Sequence, residues 1–350
     1  MNTTFTLDNL IRQNVKQLVP YSSARDEFSG NGSVFIDANE NPYENGVNRY
    51  PDPLQNQLKK RLTQLKGVSP TRMILGNGSD EVIDLLFRAF CEPNKDNVVI
   101  CTPTYGMYEV AANVNAIEIK EAPLDKDFQP NIDLVMDLSD ENSKMLFLCS
   151  PNNPTANLYD EDRIVQLLKV FPGIVIVDEA YIDFAPGKSV LDKLEEYPNL
   201  VILQTLSKAW AMAGIRLGIG FASEEIVKVL NRIKPPYNVN SLTQTKALEL
   251  LDDEARYLNQ VNEILQDRQV LSKYLSGLSY VEKIYPTDAN FILIKVNDAK
   301  ELYNYLLEKG IIIRDRSKIV GLENCVRISI GTQEENKLLC KSLNEYNSKF

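Results

Sequence analysis

The chain has 350 residues, 44% of them hydrophobic and 25% charged, which is enough to bury a large core and more than one ordinary domain needs. A net charge of -10 argues against an extended nucleic-acid surface, and the complete absence of histidine excludes His-dependent triads, imidazole general bases and histidine-containing metal sites. The five cysteines are an odd number with no C-x-x-C pair and lie mostly in apolar runs, so they read as reduced core residues of a cytoplasmic protein that holds no metal.

Along the chain, the opening "MNTTFTLDNLIRQNV" lacks a basic segment followed by an apolar stretch, and no later run reaches the length of a membrane span. A soluble, non-exported protein with no membrane partner is expected. "GSVFIDANENPY" has too little sequence around it to build a core of its own. Residues 1–45 are therefore expected to form an arm that packs with a small C-terminal domain.

In "GNGSDEVIDLL" two glycines, a serine and an aspartate precede an apolar helical stripe, which predicts a helix over 79–90 with Ser79 as its N-cap. A helix start offers unpaired N–H groups and the positive end of a dipole, so a phosphate could bind the backbone of Gly78, Ser79 and Asp80. A glycine turn with a serine cap is more often only a helix start, and the motif by itself is weak.

Short apolar runs at 97–101, 116–120, 145–149, 173–178 and 200–204 alternate with helical patterns. Such alternation predicts an α/β fold with a mostly parallel central sheet sandwiched by helices. "CSPNNPTANL" puts Asn152 and Asn153 at the carboxyl end of one predicted strand, where open α/β sheets bind ligands; the plainer reading is an Asn-Pro turn. "GIVIVDEAYIDF" repeats the placement, with Asp178 at a strand end and Tyr181 three residues on. Asp178 caps a turn on the plain reading and pairs with a buried cation on the sharper one.

"QTLSKAWAMAGIRLG" then sets Lys208 between two apolar runs, so its ammonium is expected to enter the protein. A desolvated lysine loses its proton more readily, and the free amine is a nucleophile towards aldehydes. From about residue 235 a long helical region runs to roughly 276. "NFILIKV", a helix in "DAKELYNYLLEKG", and strands in "IIIRD" and "VRISI" follow, predicting a smaller α+β domain over 271–350 after a large domain over 46–270.

Two strand ends, a glycine-rich helix start and a hemmed-in lysine converge on one edge of one sheet. A phosphate cradle, a carboxylate, phenols and an amine suit an aromatic aldehyde phosphate with a ring nitrogen, which describes pyridoxal phosphate.

The chain resembles the fold-type I pyridoxal-phosphate-dependent aminotransferases, and among them the histidinol-phosphate aminotransferases, over nearly its whole length. The resemblance rests on "IDANENPY", "RYPDP", "GNGSDE", "PTYGMY", "SPNNPT", "DEAYIDF", "TLSKAWAMAGIRLG", "PPYNVN" and "VRISIGT". It implies that Lys208 carries the cofactor and that Asp178 binds its ring nitrogen. Asn153 and Tyr181 would bond the ring hydroxyl, and Tyr105 would stack on the ring. Ser79, Asp80, Ser207 and Arg216 would surround the phosphate, with Tyr50 reaching it from the other subunit of a homodimer with shared sites.

Arg327 and Arg314 would hold the anionic end of the small-molecule substrates, with Tyr21 and Asn39 lining that pocket. The implied reaction is transamination between L-histidinol phosphate and 2-oxoglutarate, in histidine biosynthesis. Rivals of the same fold are an aromatic or broad-specificity aminotransferase and a threonine-phosphate decarboxylase; the rival from another class is a non-catalytic binding protein, against which the intact lysine argues. One departure is Ala156, where the family usually has glycine: a positive φ there would cost roughly 1 kcal/mol.

Overall fold

A computed structural model describes residues 5–20 and 34–348. Among these described residues, eleven strands form two sheets. The larger has seven strands, β1 (Met73–Asn77), β2 (Asn97–Thr102), β3 (Glu118–Pro123), β4 (Ser143–Cys149), β5 (Ile174–Asp178), β6 (Leu200–Thr205) and β7 (Leu217–Phe221), in the order β1-β7-β6-β5-β4-β2-β3. β6, β5, β4, β2 and β3 pair in parallel, and β7 runs antiparallel to both its neighbours. The reversal of β7 matters for the site, because it brings the residues just before β7 to the edge where the other strands end.

The five predicted strands are all present. β1 and β7 are additional, and β7 shows why it was hard to see. Its "LGIGF" alternates glycine with large apolar residues, and the glycine face is pressed against a helix start: a Cβ on Gly218 would lie 2.1 Å from the Ser79 nitrogen. The helix Ser79–Phe90 can approach that closely only over glycine. The expected helix is therefore observed, but its cap is Gly78 at φ 75°, and Ser79 is the first helical residue.

Both faces of the large sheet are covered, and strand alternation sorts its residues. Leu146, Leu148, Val175, Val177 and Ile202 pack beneath the helices 56–66, 161–170 and 241–251. Met145, Phe147, Ile174, Ile176 and Leu203 pack beneath the helices 79–90, 107–114 and 224–233. Residues 5–17 join this second face: Val15 is buried in it, Phe5, Leu7 and Ile11 rest on it, and the Arg12 amide donates to the Ala89 carbonyl at 3.0 Å. The expectation that the N-terminal arm packs with the small domain does not hold for these residues. Their apolar side chains find the helices of the large sheet first.

The smaller sheet has four antiparallel strands, β8 (Val281–Ile284), β9 (Phe291–Val296), β10 (Arg314–Asp315) and β11 (Cys325–Ser329), in the order β10-β11-β9-β8. Ile292, Ile294, Val326 and Ile328 turn one face towards the helices 254–275, 299–308 and 333–347. The long helical region is two helices, 241–251 and 254–275. The second links the sheets: Tyr257 stacks on Trp210 at 4.0 Å, while Leu271 and Leu275 belong to the core of the small sheet.

Among the described residues, no helix is long and apolar enough to cross a membrane. All five cysteines are free thiols, four of them buried.

Candidate active site

The carboxyl edge of the large sheet surrounds a small cavity of roughly 80 Å³ that opens into the cleft. Its walls include Gly78, Ser79 and Asp80 from the helix start, Tyr105 after β2, Asn153 after β4, Asp178 at the end of β5 and Tyr181 just after it, and Ser207, Lys208 and Arg216 after β6. These ten sequence-predicted residues are brought together by strand phase. Asp178 continues the Ile174, Ile176 series and so turns to the face that bears the helices 79–90 and 107–114.

Glu179, one residue later, has the opposite phase. It is buried elsewhere, accepting from the Ser189 hydroxyl at 2.7 Å, the Val190 amide at 2.7 Å and Gln204 at 2.8 Å. Two adjacent acids thus have separate roles.

Asp178 is 2% exposed. It accepts from the Tyr108 hydroxyl at 2.7 Å and the Ala180 amide at 3.0 Å. Burial pushes its carboxyl up to about 6, against the lowering effect of those hydrogen bonds. A buried carboxylate with two neutral donors remains short of a cation, and a protonated ring nitrogen would meet that need.

Tyr108 is the functional contact that sequence reasoning missed. It is fully buried, stacks on Phe147 at 4.8 Å and meets Tyr105 edge-on at 5.5 Å. The signal was its place in "PTYGMY", one helical turn after Tyr105. Thr205, Cys149 and Ala180 also line the cavity without having been expected.

Lys208 differs from expectation. Its side chain lies on the cavity wall and is exposed to the cleft rather than sunk in the core. Partial desolvation lowers its pKa, and the charges of Arg327 and Arg216 lower it further. Its Nζ stands 5.5 Å from the centre of the Tyr181 ring, and Tyr181 is itself buried, edge-on to Phe291 at 5.1 Å.

Asn153 accepts from the Arg327 guanidinium through Oδ1. That contact turns Nδ2 the other way, free to donate to an oxygen in the cavity. Its neighbour Asn152 is structural: fully buried, it bonds Thr104, Thr155 and the Pro103 carbonyl.

The end of the cavity expected to take a phosphate is built from a helix start and a cation. No side chain caps the helix 79–90, and a Cβ on Gly78 would meet the Arg216 guanidinium at 2.6 Å, so glycine lets that group close over the loop. Arg216 pairs loosely with Asp80 at 3.4 Å, and Asp80 also accepts from the Tyr105 hydroxyl at 3.2 Å. Ser207 receives a hydrogen bond from Thr205 at 2.9 Å. Backbone amides, hydroxyls and a guanidinium are the donors a phosphate requires.

Outside this cavity the cleft widens between the two sheets, where Arg314, Arg316 and Arg327 form part of its wall. Arg316 was not anticipated. Burial pushes Arg327 down to about 10, and the neighbouring Arg316 and Arg314 charges add to that, leaving it protonated at neutral pH.

Tyr50 and Asn39 do not line either space in this chain: Tyr50 is 51% exposed and stacked on Tyr237 at 4.4 Å, and Asn39 is exposed with φ 55°. Tyr21 lies outside the described residues. Ala156 does adopt positive φ, at 72°, fully buried beside Tyr181 and Phe291.

The family model for Aminotransferase class I and II matches residues 33–343. A histidinol-phosphate aminotransferase of Flavobacterium johnsoniae is 55% identical over 343 residues, covering 97% of this chain and 98% of the relative. One from Parabacteroides distasonis is 56% identical over 337 residues, covering 96% and 98%. Among solved structures, the histidinol-phosphate aminotransferase from Clostridium acetobutylicum aligns with a TM-score of 0.80 and 25% identity, over 87% of this chain and 92% of that one.

Proposed function

From the premise that this chain belongs to the class I and II aminotransferases, within the histidinol-phosphate aminotransferase family, we propose that it transfers an amino group between L-histidinol phosphate and 2-oxoglutarate, giving imidazole acetol phosphate and L-glutamate. The cofactor of the family is pyridoxal phosphate. The observation that carries the reading is the meeting in one cleft of an amine, a buried carboxylate and a cationic wall.

Pyridoxal phosphate, when bound, supplies the aldehyde that accepts the amino group and a ring that takes up electron density from the reacting carbon. Lys208 provides the anchoring amine and, once released, the base that moves a proton at that carbon; its lowered pKa suits both tasks. Asp178 would hold positive charge on the ring nitrogen, its carboxylate fixed in place by Tyr108. Asn153 and Tyr181 would donate to the ring oxygen, and Tyr105 would pack against the ring. Gly78, Ser79, Asp80, Ser207 and Arg216 form the phosphate site, and Arg327 with Arg314 binds the substrate anion.

The same reading makes the protein a cytoplasmic homodimer in which Tyr50, exposed and not on the cavity wall of its own chain, completes the partner's phosphate site. It also divides the chain into a large domain over 46–270 and a small one over 271–350.

A half-reaction screen tests the function. The cofactor-loaded protein is mixed with L-histidinol phosphate, L-glutamate, L-phenylalanine, L-tyrosine or L-threonine phosphate, and the loss of cofactor absorbance is followed. Histidinol phosphate and glutamate should react with the highest kcat/KM. Faster reaction with the aromatic amino acids, or carbon dioxide release from threonine phosphate, would replace this reading with one of its rivals.

A further inference from the structure

Three arginines share one face of the small sheet. Arg314 and Arg327 are direct cross-strand partners, and the Arg316 amide donates to the Cys325 carbonyl at 2.8 Å, which continues the ladder by one pair. With side chains alternating along each strand, residues 314, 316 and 327 all turn away from the apolar core and towards the cleft.

Like charges opposite one another destabilise a sheet. Among the described residues, none of the three forms an ion pair to offset this, and the single side-chain hydrogen bond of the group is Arg327 to Asn153. Arg316 is the member left most in need, because its Nε is buried with no hydrogen-bond partner. It stands close enough to Arg327 and to the Tyr181 phenol for its charge to act on both. The carboxylates of the same cleft, Glu109, Glu121 and Asp125, belong to other elements, and Asp125 is taken by Arg163 at 2.8 Å.

We propose that Arg316 is a specificity-determining residue, the third guanidinium of a receptor for a dianionic phosphate monoester and the one a carboxylate can most readily do without. The inference rests on the transamination reading above. A phosphate monoester carries close to two negative charges at neutral pH and three terminal oxygens. A carboxylate carries one charge and two oxygens, which a single guanidinium fork can satisfy. Arg327, tied to Asn153 beside the cofactor cavity, is placed to serve either anion. A second and third guanidinium on the same face are warranted by the extra charge.

The test compares wild-type and Arg316→Gln holoenzyme in single-turnover half-reactions with L-histidinol phosphate, unphosphorylated L-histidinol and L-glutamate. A lost charged hydrogen bond corresponds to roughly tenfold or more. The wild-type preference for histidinol phosphate over histidinol should shrink by about that factor in the variant, and the loss for histidinol phosphate should exceed the loss for glutamate by a similar ratio. Equal losses for all three substrates would show a merely structural arginine and overturn the assignment. An intact phosphate preference in the variant would overturn it as well, while leaving the function standing. A wild-type enzyme that does not distinguish histidinol phosphate from histidinol would remove the phosphate reading itself.

Discussion

Asp178 and Arg327 are ionisable side chains that line the same cleft, yet helices cover both faces of the sheet carrying the first and only one face of the sheet carrying the second. In the seven-stranded sheet, polar groups have nowhere to go but the edge where strands become turns. There Asp178 is locked by Tyr108 and Ala180, and Asn153 by Arg327. The second face of the four-stranded sheet packs Tyr285, Leu293, Leu322 and Cys325 together and otherwise turns to the cleft, where Arg314, Arg316 and Arg327 spread positive charge without a carboxylate partner among the described residues. An edge holds a few atoms in fixed places, which suits bond making. A face offers charge over an area, which suits recognition of anions that differ in size.

If that division holds, substitutions at the edge should cost more than substitutions on the face. Lys208→Ala should show the largest effect, abolishing turnover while the protein still binds cofactor through Asp178 and the phosphate site. Steady-state assay and the absorbance of bound cofactor check the two halves of the statement.

Asp178→Asn follows. Breaking a buried charge pair costs about 3–5 kcal/mol, so kcat/KM should fall roughly 10²-fold or more. This variant also carries a pH signature. The carboxyl is raised to about 6 from its ordinary value of 3.8, so in the cofactor-free protein its contribution to stability is fully present below 3.8, where both folded and unfolded chains hold the proton, and is lost as pH rises through about 6. Denaturation of the cofactor-free protein between pH 4 and 8 should show a loss of stability with rising pH that is smaller in Asp178→Asn. Glu179, raised to about 7 by burial, contributes in both proteins and cancels in the comparison.

On the face, Arg327→Gln should reduce both half-reactions, by roughly tenfold or more for a lost charged hydrogen bond of about 1.5–3 kcal/mol. A loss confined to one substrate would break the idea that it serves both anions.

The smallest effect belongs to neither sheet. Ala156→Gly relieves a positive φ worth roughly 1 kcal/mol. It also removes a buried methyl worth about 0.8 kcal/mol and raises the entropy of the unfolded chain. The terms nearly offset, so thermal denaturation should find a change of no more than about 1 kcal/mol.

The same contrast explains what could be read from the sequence. Strands buried on both faces are unbroken apolar runs, so β2, β4, β5 and β6 were legible, and with them Asn153 and Asp178 at their ends, whereas the edge strand β3 is half exposed and was legible from the alternating Ile117 and Ile119. β7 was not, because glycines that admit the helix 79–90 interrupt its apolar pattern. The site motifs carry Lys208, Tyr181 and Arg216 to the wall of one cavity, since strand ends fix where each begins.

Other features depend on three-dimensional neighbours that spacing does not encode. Tyr108 reaches Asp178 across 70 residues of chain, and Arg316 gains meaning only from the pairing of β10 with β11. Lys208 read as hemmed in because its flanks are apolar, yet Leu206, Ala209, Trp210 and Met212 take the buried places while the lysine itself opens onto the cleft. The placement of residues 5–17 on the large sheet was likewise invisible, because a short apolar segment does not announce which core it will join.

The central claim, that the edge of the large sheet performs the chemistry through one amine, is tested most directly by reducing the cofactor-loaded protein with borohydride and mapping the labelled peptide. The account predicts label on Lys208, in the peptide containing "TLSKAW", and none on that peptide after prior complete reaction with L-histidinol phosphate. Label on a different lysine, or no label on a protein that retains its bound cofactor and its colour, would contradict it.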